Sequence, residues 1–124
     1  MNSKIHSFTD LNAWQKGHRL VLKIYKLTKS FPSEERYGLS DQMRRCSVSI
    51  TSNIAEGFSR RGKKEKAQFF YMALGSTTEI QNQLLIARDI KYFSQQEFQE
   101  LANLTVEVNK LVNGLIKSSR ILNT

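Results

Sequence analysis

The sequence holds one proline, one cysteine and two histidines among 124 residues, and each scarcity excludes something. One proline and six glycines leave few places to turn, which predicts long uninterrupted elements rather than many short ones. A lone Cys46 cannot form an internal disulfide and offers no metal-type cysteine spacing; both fit a reducing compartment. His6 and His18 form no pair and no Glu-x-x-His motif, so a bundle-type metal centre is not expected. No run of about 20 apolar residues is present to span a membrane, and the opening residues lack the apolar stretch of a secretory leader. These points together read as a cytoplasmic protein with no metal and no cofactor.

Positive charge is abundant. Nineteen Lys and Arg stand against 11 Asp and Glu, a net charge of +8. Residues 1–66 contain 14 basic and 6 acidic side chains, whereas residues 67–124 contain five of each. The excess therefore lies in the first half, a bias that attracts polyanions.

Hydrophobic periodicity predicts four helices and no strand, within a single domain over 1–124 whose first eight residues are expected to be frayed. The first helix is expected from Thr9 or Asp10, both good N-caps, to about Lys29, with Leu11, Trp14, His18, Val21, Leu22, Tyr25 and Thr28 on its core face. Phe31-Pro32 stops it. The second is expected from Ser40 to Gly57, with Met43, Cys46, Ile50 and Ile54 inward and Gly57 as a left-handed terminator. The third is expected from about Lys63 to Ile90, with Phe69, Phe70, Ala73, Thr77, Ile80, Leu84 and Ala87 inward. A Ser94/Glu97 capping box opens the fourth, whose seam is Phe98, Leu101, Thr105, Val108, Val112, Leu115, Ser119 and Leu122. Short connections between long helices give an all-α, up-down-up-down antiparallel four-helix bundle.

Two helices carry more apolar surface than one bundle needs. Leu20, Ile24 and Leu27 form a second stripe on the first helix, as do Tyr71, Leu74 and Leu85, with Ala67 and Thr78, on the third. Between Ala67 and Ala87 the only charged residue is Glu79. Such stripes are expected to form a homo-oligomer interface.

In this topology the loop between the second and third helices lies at the same pole as both termini. That pole gathers Arg60, Arg61, Lys63, Lys64, Lys66, Lys117 and Arg120, together with Lys4, while Lys16, Arg19, Lys23 and Lys26 share one face of the first helix. A basic stripe beside a basic, glycine-containing loop is a surface suited to phosphate backbones. Nucleic acid, RNA in particular, is the expected partner. Phe58 is the only aromatic residue in the loop, so neither a stacking platform nor sequence-specific readout is expected. The opposite pole is electrically balanced.

No catalytic constellation emerges. There is no Walker-type or dinucleotide glycine motif. His18 falls on an apolar face, Cys46 reads as a buried core filler, and Glu56 and Glu79 have no histidine partner. Gly75-Ser76 reads as a small pair permitting close helix contact. The protein is expected not to be an enzyme.

Phe31-Pro32, Tyr37-Gly38-Leu39, Arg44-Arg45, Ser49-Ile50, Asn53-Ile54-Ala55-Glu56-Gly57 and Ala73-Leu74-Gly75-Ser76 with Glu79 resemble the four-helix bundle proteins of the 23S rRNA intervening-sequence family. The resemblance extends from Phe8-Thr9-Asp10-Leu11 to the last helix, and the Ser-Ile-x-x-Asn-Ile-Ala-Glu-Gly run is its most specific part. It implies a bacterial protein assembled as a closed ring, a homopentamer in known relatives, without a settled biochemical role. The accessory variability proteins of diversity-generating retroelements are similar in fold. That likeness implies an alternative role as an adaptor for a nucleic-acid enzyme such as a reverse transcriptase, beside a third reading as a structural ring with incidental charge.

Overall fold

The computed structural model describes residues 4–121, with side chains through Ser119. Four helices account for most of it: α1 (Asn12–Thr28), α2 (Leu39–Ser59), α3 (Lys63–Asp89) and α4 (Gln95–Ile121). Single 3₁₀ turns at Phe8–Asp10 and Ser33–Glu35 precede α1 and α2, and no strand occurs among the described residues. Each helix packs on its neighbour in sequence and α1 closes the ring against α4, the α2–α3 seam being the most extensive. This is the antiparallel up-down-up-down bundle. α1 and α3 start, and α2 and α4 end, at one end, here called the terminal pole.

The chain enters α1 differently from the sequence expectation. Asp10 does not cap α1. Its carboxylate accepts the backbone N–H groups of His6 and Ser7 at 2.9 and 3.1 Å, bonds that hold its pKa below the usual carboxylate value. The 3₁₀ turn is thus a capping box of its own, opened by Ser7, and the extended Leu11 separates it from α1.

The two faces of α1 are partly exchanged relative to expectation, although Thr28 is buried as expected and Leu11 and Trp14 pack against the core. Leu20 and Ile24, read above as interface residues, are fully buried in the chain's own core. Leu22 and Tyr25, read as core, are 57% and 40% exposed, and His18 is exposed. The buried seam is Ala13, Gly17, Leu20, Ile24 and Thr28. Its first two members are small and carry little hydropathy, so the seam is faint in the sequence. They matter because α1 lies close to α2 there: a Cβ on Gly17 would sit 3.0 Å from Thr51 Cγ2.

α2 runs two residues beyond Gly57, and no glycine has a positive φ. Gly57 is required for contact instead of handedness, since a Cβ there would lie 2.5 Å from Cε1 of the Phe70 ring on α3. The left-handed terminator belongs to α3, where Lys91 has φ 66°. Lys91 N–H donates to Arg88 C=O at 3.0 Å and Tyr92 N–H to Ala87 C=O at 2.9 Å, the paired bonds of a Schellman motif. Beyond it Phe31, Tyr92, Phe93 and Phe98 pack ring against ring. The Tyr92 hydroxyl donates to Glu35 Oε2 at 2.6 Å, fastening the α1–α2 connection to the α3–α4 turn. The remaining core is continuous along α2, α3 and α4, from Met43, Ile50 and Ile54 through Phe70, Ile80 and Leu84 to Val108, Val112 and Ile116.

Candidate nucleic-acid interface at the terminal pole

The α2–α3 loop is three residues long, Arg60 to Gly62, which places two helix ends side by side. Gly62 is the N-cap of α3 and offers no side chain, so the first N–H groups of a 27-residue helix face outward uncapped. The helix dipole adds partial positive charge at that end. Lys66 lies one turn into α3 and reaches back to α2, its Nζ donating to the carbonyls of Phe58 at 2.6 Å and Gly57 at 3.3 Å. Burial holds its pKa below the ordinary lysine value. Lys66 therefore caps the C-terminus of α2, which commits part of its hydrogen-bonding capacity within the chain.

The other expected cations divide by environment. Arg60 pairs with Glu56 at 2.9 Å and lies over the Phe69 ring at 4.8 Å. Lys16 pairs with Glu107 of α4 at 3.1 Å. Lys23 and Lys26 line a cleft of ≈ 240 Å³ between α1 and α4, opposite Glu97 and Glu100. Three cations of the α1 stripe, Lys16, Lys23 and Lys26, thus face carboxylates of α4. Arg61, Lys63, Lys64 and Lys117 take part in no ion pair among the described residues. Arg61, Lys64 and Lys117 are exposed and Lys63 is half-buried. Arg120's side chain and Leu122 lie outside the described residues.

Beside the loop, a second cavity of ≈ 210 Å³ opens between the start of α1, the start of α3 and the end of α4. Aromatic groups also gather near this pole. Trp14 and His18 stack at 4.6 Å with 13° between their planes, and Phe8 meets Trp14 edge-on at 5.5 Å. Sequence reasoning expected no stacking group here. The i, i+4 spacing of Trp14 and His18 was the available signal, taken instead as core periodicity.

Away from the pole, the family-like motif residues form a polar seam. Ser49 Oγ and Ser76 Oγ are 2.9 Å apart, and Asn53 Nδ2 donates to Ser49 O at 2.9 Å. The Cys46 thiol, 5% exposed, donates to Ser76 O at 3.1 Å. Burial first, and the charge of Glu79 second, push its pKa up to about 12, so the thiolate is suppressed. Gly75 was expected to sit at a helix contact, but a Cβ there would meet nothing. It opens outward. Among the described residues, no cluster of three or more His, Cys, Asp or Glu is arranged to hold a metal, and no helix is long and apolar enough to cross a membrane.

The family described as 23S rRNA-intervening sequence protein matches residues 9–114. The chain belongs to this family. Among solved structures, a Bacteroides thetaiotaomicron protein of unknown function from the S23 ribosomal protein family superposes with a TM-score of 0.78 at 24% identity, over 85% of this chain and 95% of that one. At that identity the likeness concerns the fold. No curated protein matches the sequence. For a 23S rRNA-intervening sequence protein, the match spans the Ser49–Gly57 motif and the whole α2–α3 hairpin, and it stops within α4, before Lys117.

Of the expected interface residues, Leu27 and Leu74 are half-buried against the core. Tyr71 and Leu85 are exposed, at 52% and 41%. With Met72 and Ile86 they occupy an outward arc of α3 roughly 140° wide at about 100° per residue.

Proposed function

We propose that the protein is a self-assembling, non-catalytic bundle that holds nucleic acid, RNA foremost, through backbone contacts at its terminal pole. The observation that carries this reading is the group Arg61, Lys63 and Lys64 at the uncapped start of α3, which forms no ion pair among the described residues. Helix N–H groups, a helix dipole and unpaired cations all favour the same anionic oxygens. The α1 stripe contributes less, because α4 supplies opposing carboxylates.

Affinity for single-stranded RNA is expected to fall with rising salt, each phosphate contact contributing about 0.7 to the log–log slope. Neutralising Arg61, Lys63 and Lys64 together should reduce that slope by about 2 for each engaged protomer. Neutralising Lys23 and Lys26 should change it little. Equal effects of the two variants, or no binding by the unmodified protein at low salt, would refute this reading.

Assembly is supported by the outward face of α3. Tyr71, Met72, Leu85 and Ile86 are each 41–52% exposed, and Glu79 is the only charged residue between Ala67 and Ala87. Light scattering at micromolar concentration should give a multiple of the chain mass, and Ile86→Glu should return it to the monomer with helical content unchanged. A monomer that remains monomeric when mixed with its nucleic acid would leave this face to a different protein, as the adaptor reading requires.

A further inference from the structure

The cavity at the terminal pole has the composition of a ligand site. Its floor is apolar and partly aromatic, made by Leu11, Phe58, Phe70 and Leu115, and its rim carries Arg61 and Lys63. Among the described residues no carboxylate lines it. The α1–α4 cleft, of similar volume, has two lysines opposed by two glutamates and holds no net attraction for an anion. At ≈ 210 Å³ the polar-end cavity is smaller than the roughly 300 Å³ at which sites for drug-sized ligands begin. It suits one flat ring rather than an extended molecule.

We infer that this cavity receives a single unstacked nucleobase, with the adjoining phosphate held by Arg61, Lys63 and the start of α3. The inference rests on the nucleic-acid reading above and adds a base-binding pocket to it. Phe58 is half-buried, and the Lys66 ammonium lies 5.5 Å from its ring centroid. Because that ammonium is bound to two carbonyls, the ring is held at the cavity wall. Apart from the cations, only the hydroxyls of Ser118 and Ser119 offer directional partners among the lining residues, so the pocket discriminates weakly between bases. Arg61 is exposed beside the opening, and its planar guanidinium suits phosphate oxygens.

Two probes of equal charge test this. Adenosine 5′-monophosphate should shift the Leu11 and Leu115 methyl resonances, whereas ribose 5-phosphate should not. A uridine oligomer should bind roughly tenfold more tightly than an abasic oligomer of the same length, the margin expected for one base on an aromatic side chain. Ser118→Phe, which fills the cavity from its exposed rim, should erase that margin and preserve the salt dependence. Phe58→Leu should reduce it several-fold in a protein that still folds. Equal affinity for base-bearing and abasic oligomers, each weakened by salt, would overturn the pocket while leaving the charged-pole reading intact. Shifts from the mononucleotide without binding of either oligomer would support the pocket and sink the charged-pole reading. Decyl phosphate binding more tightly than the mononucleotide and displacing it would overturn the inference in favour of an amphiphile.

Discussion

Gly57→Ala sets two effects of known size against each other. Gly57 lies within α2 and has no positive φ, so alanine fits the backbone and propensity alone predicts a gain of about 1 kcal/mol. The new Cβ, however, would lie 2.5 and 2.8 Å from two carbons of the Phe70 ring and 3.2 Å from the carbonyl oxygen of Lys66. Carbon atoms pack favourably at about 3.5–4.0 Å. Phe70 is 3% exposed, and the Lys66 oxygen is backbone. The two helices must therefore part near the terminal pole, where overpacking of this kind costs about 1–3 kcal/mol. The expected net result is a loss of about 1–2 kcal/mol, read as a lower urea midpoint at constant slope and a Tm lowered by roughly 3–8 °C. Phe70→Leu in the same background removes the obstructing ring edge, so the double variant should lose less than the sum of the singles. A Gly57→Ala protein more stable than its parent, or losses additive within about 0.3 kcal/mol, would refute the reasoning.

Ile24→Ala should cost about 2–5 kcal/mol, whereas Leu22→Ala, at a 57% exposed site, should stay within about 0.5 kcal/mol; comparable losses in urea titrations would mean that the faces of α1 are misplaced. Lys91→Gly should stabilise by about 1 kcal/mol, because the left-handed conformation at φ 66° costs a residue bearing a Cβ, and an unchanged urea midpoint would argue against the Schellman terminus. Tyr92→Phe should lower stability at neutral pH and flatten its dependence at both extremes. The bonds from Tyr92 and from Leu39 N–H hold the Glu35 pKa below 4.5, so their contribution is present above that value and lost as pH falls through the folded pKa. Glu35 in turn pushes Tyr92 from 10.0 up to about 12, so this contribution is present below pH 10.0 and lost as pH rises toward about 12. Urea midpoints measured across that range, identical in shape for Tyr92→Phe and its parent, would refute the latch.

The helices and their order were legible because apolar residues recur at helical spacing over long stretches. Met43, Ile50 and Ile54 on α2, and Phe98, Val108 and Val112 on α4, were placed inward from pattern alone and are buried. α1 misled because its seam opens with Ala13 and Gly17, whose value lies in close approach and not in hydropathy, while Trp14, Leu22 and Tyr25 draw the eye to the other face. The handedness of a helix end was equally hidden, since glycine was the visible signal and a lysine occupies the position. Charges were located correctly along the chain, but partners were not. The removal of Lys66 into a cap, and the facing of Lys23 and Lys26 by Glu97 and Glu100, depend on groups eight or more residues away on another helix. Cavities, too, have no sequence signature, because their walls come from residues far apart in the chain on separate helices.

The bonded serines of α2 and α3 bear on alignment. Hydrophobic ridges repeat, so two long apolar faces can fit together at several offsets, one turn of about 5.4 Å apart. Hydroxyls facing each other at 2.9 Å do not repeat in this way. Sliding α3 by one turn against α2 would separate Ser49 from Ser76 and take the Cys46 thiol from its carbonyl acceptor, leaving polar groups unpaired in a half-dry seam. These groups thus act as an index mark on the hairpin, rejecting shifted pairings that the apolar core alone would tolerate. Every surface built across both helices, including the outward face of α3 and the cavity at its start, inherits its geometry from that mark.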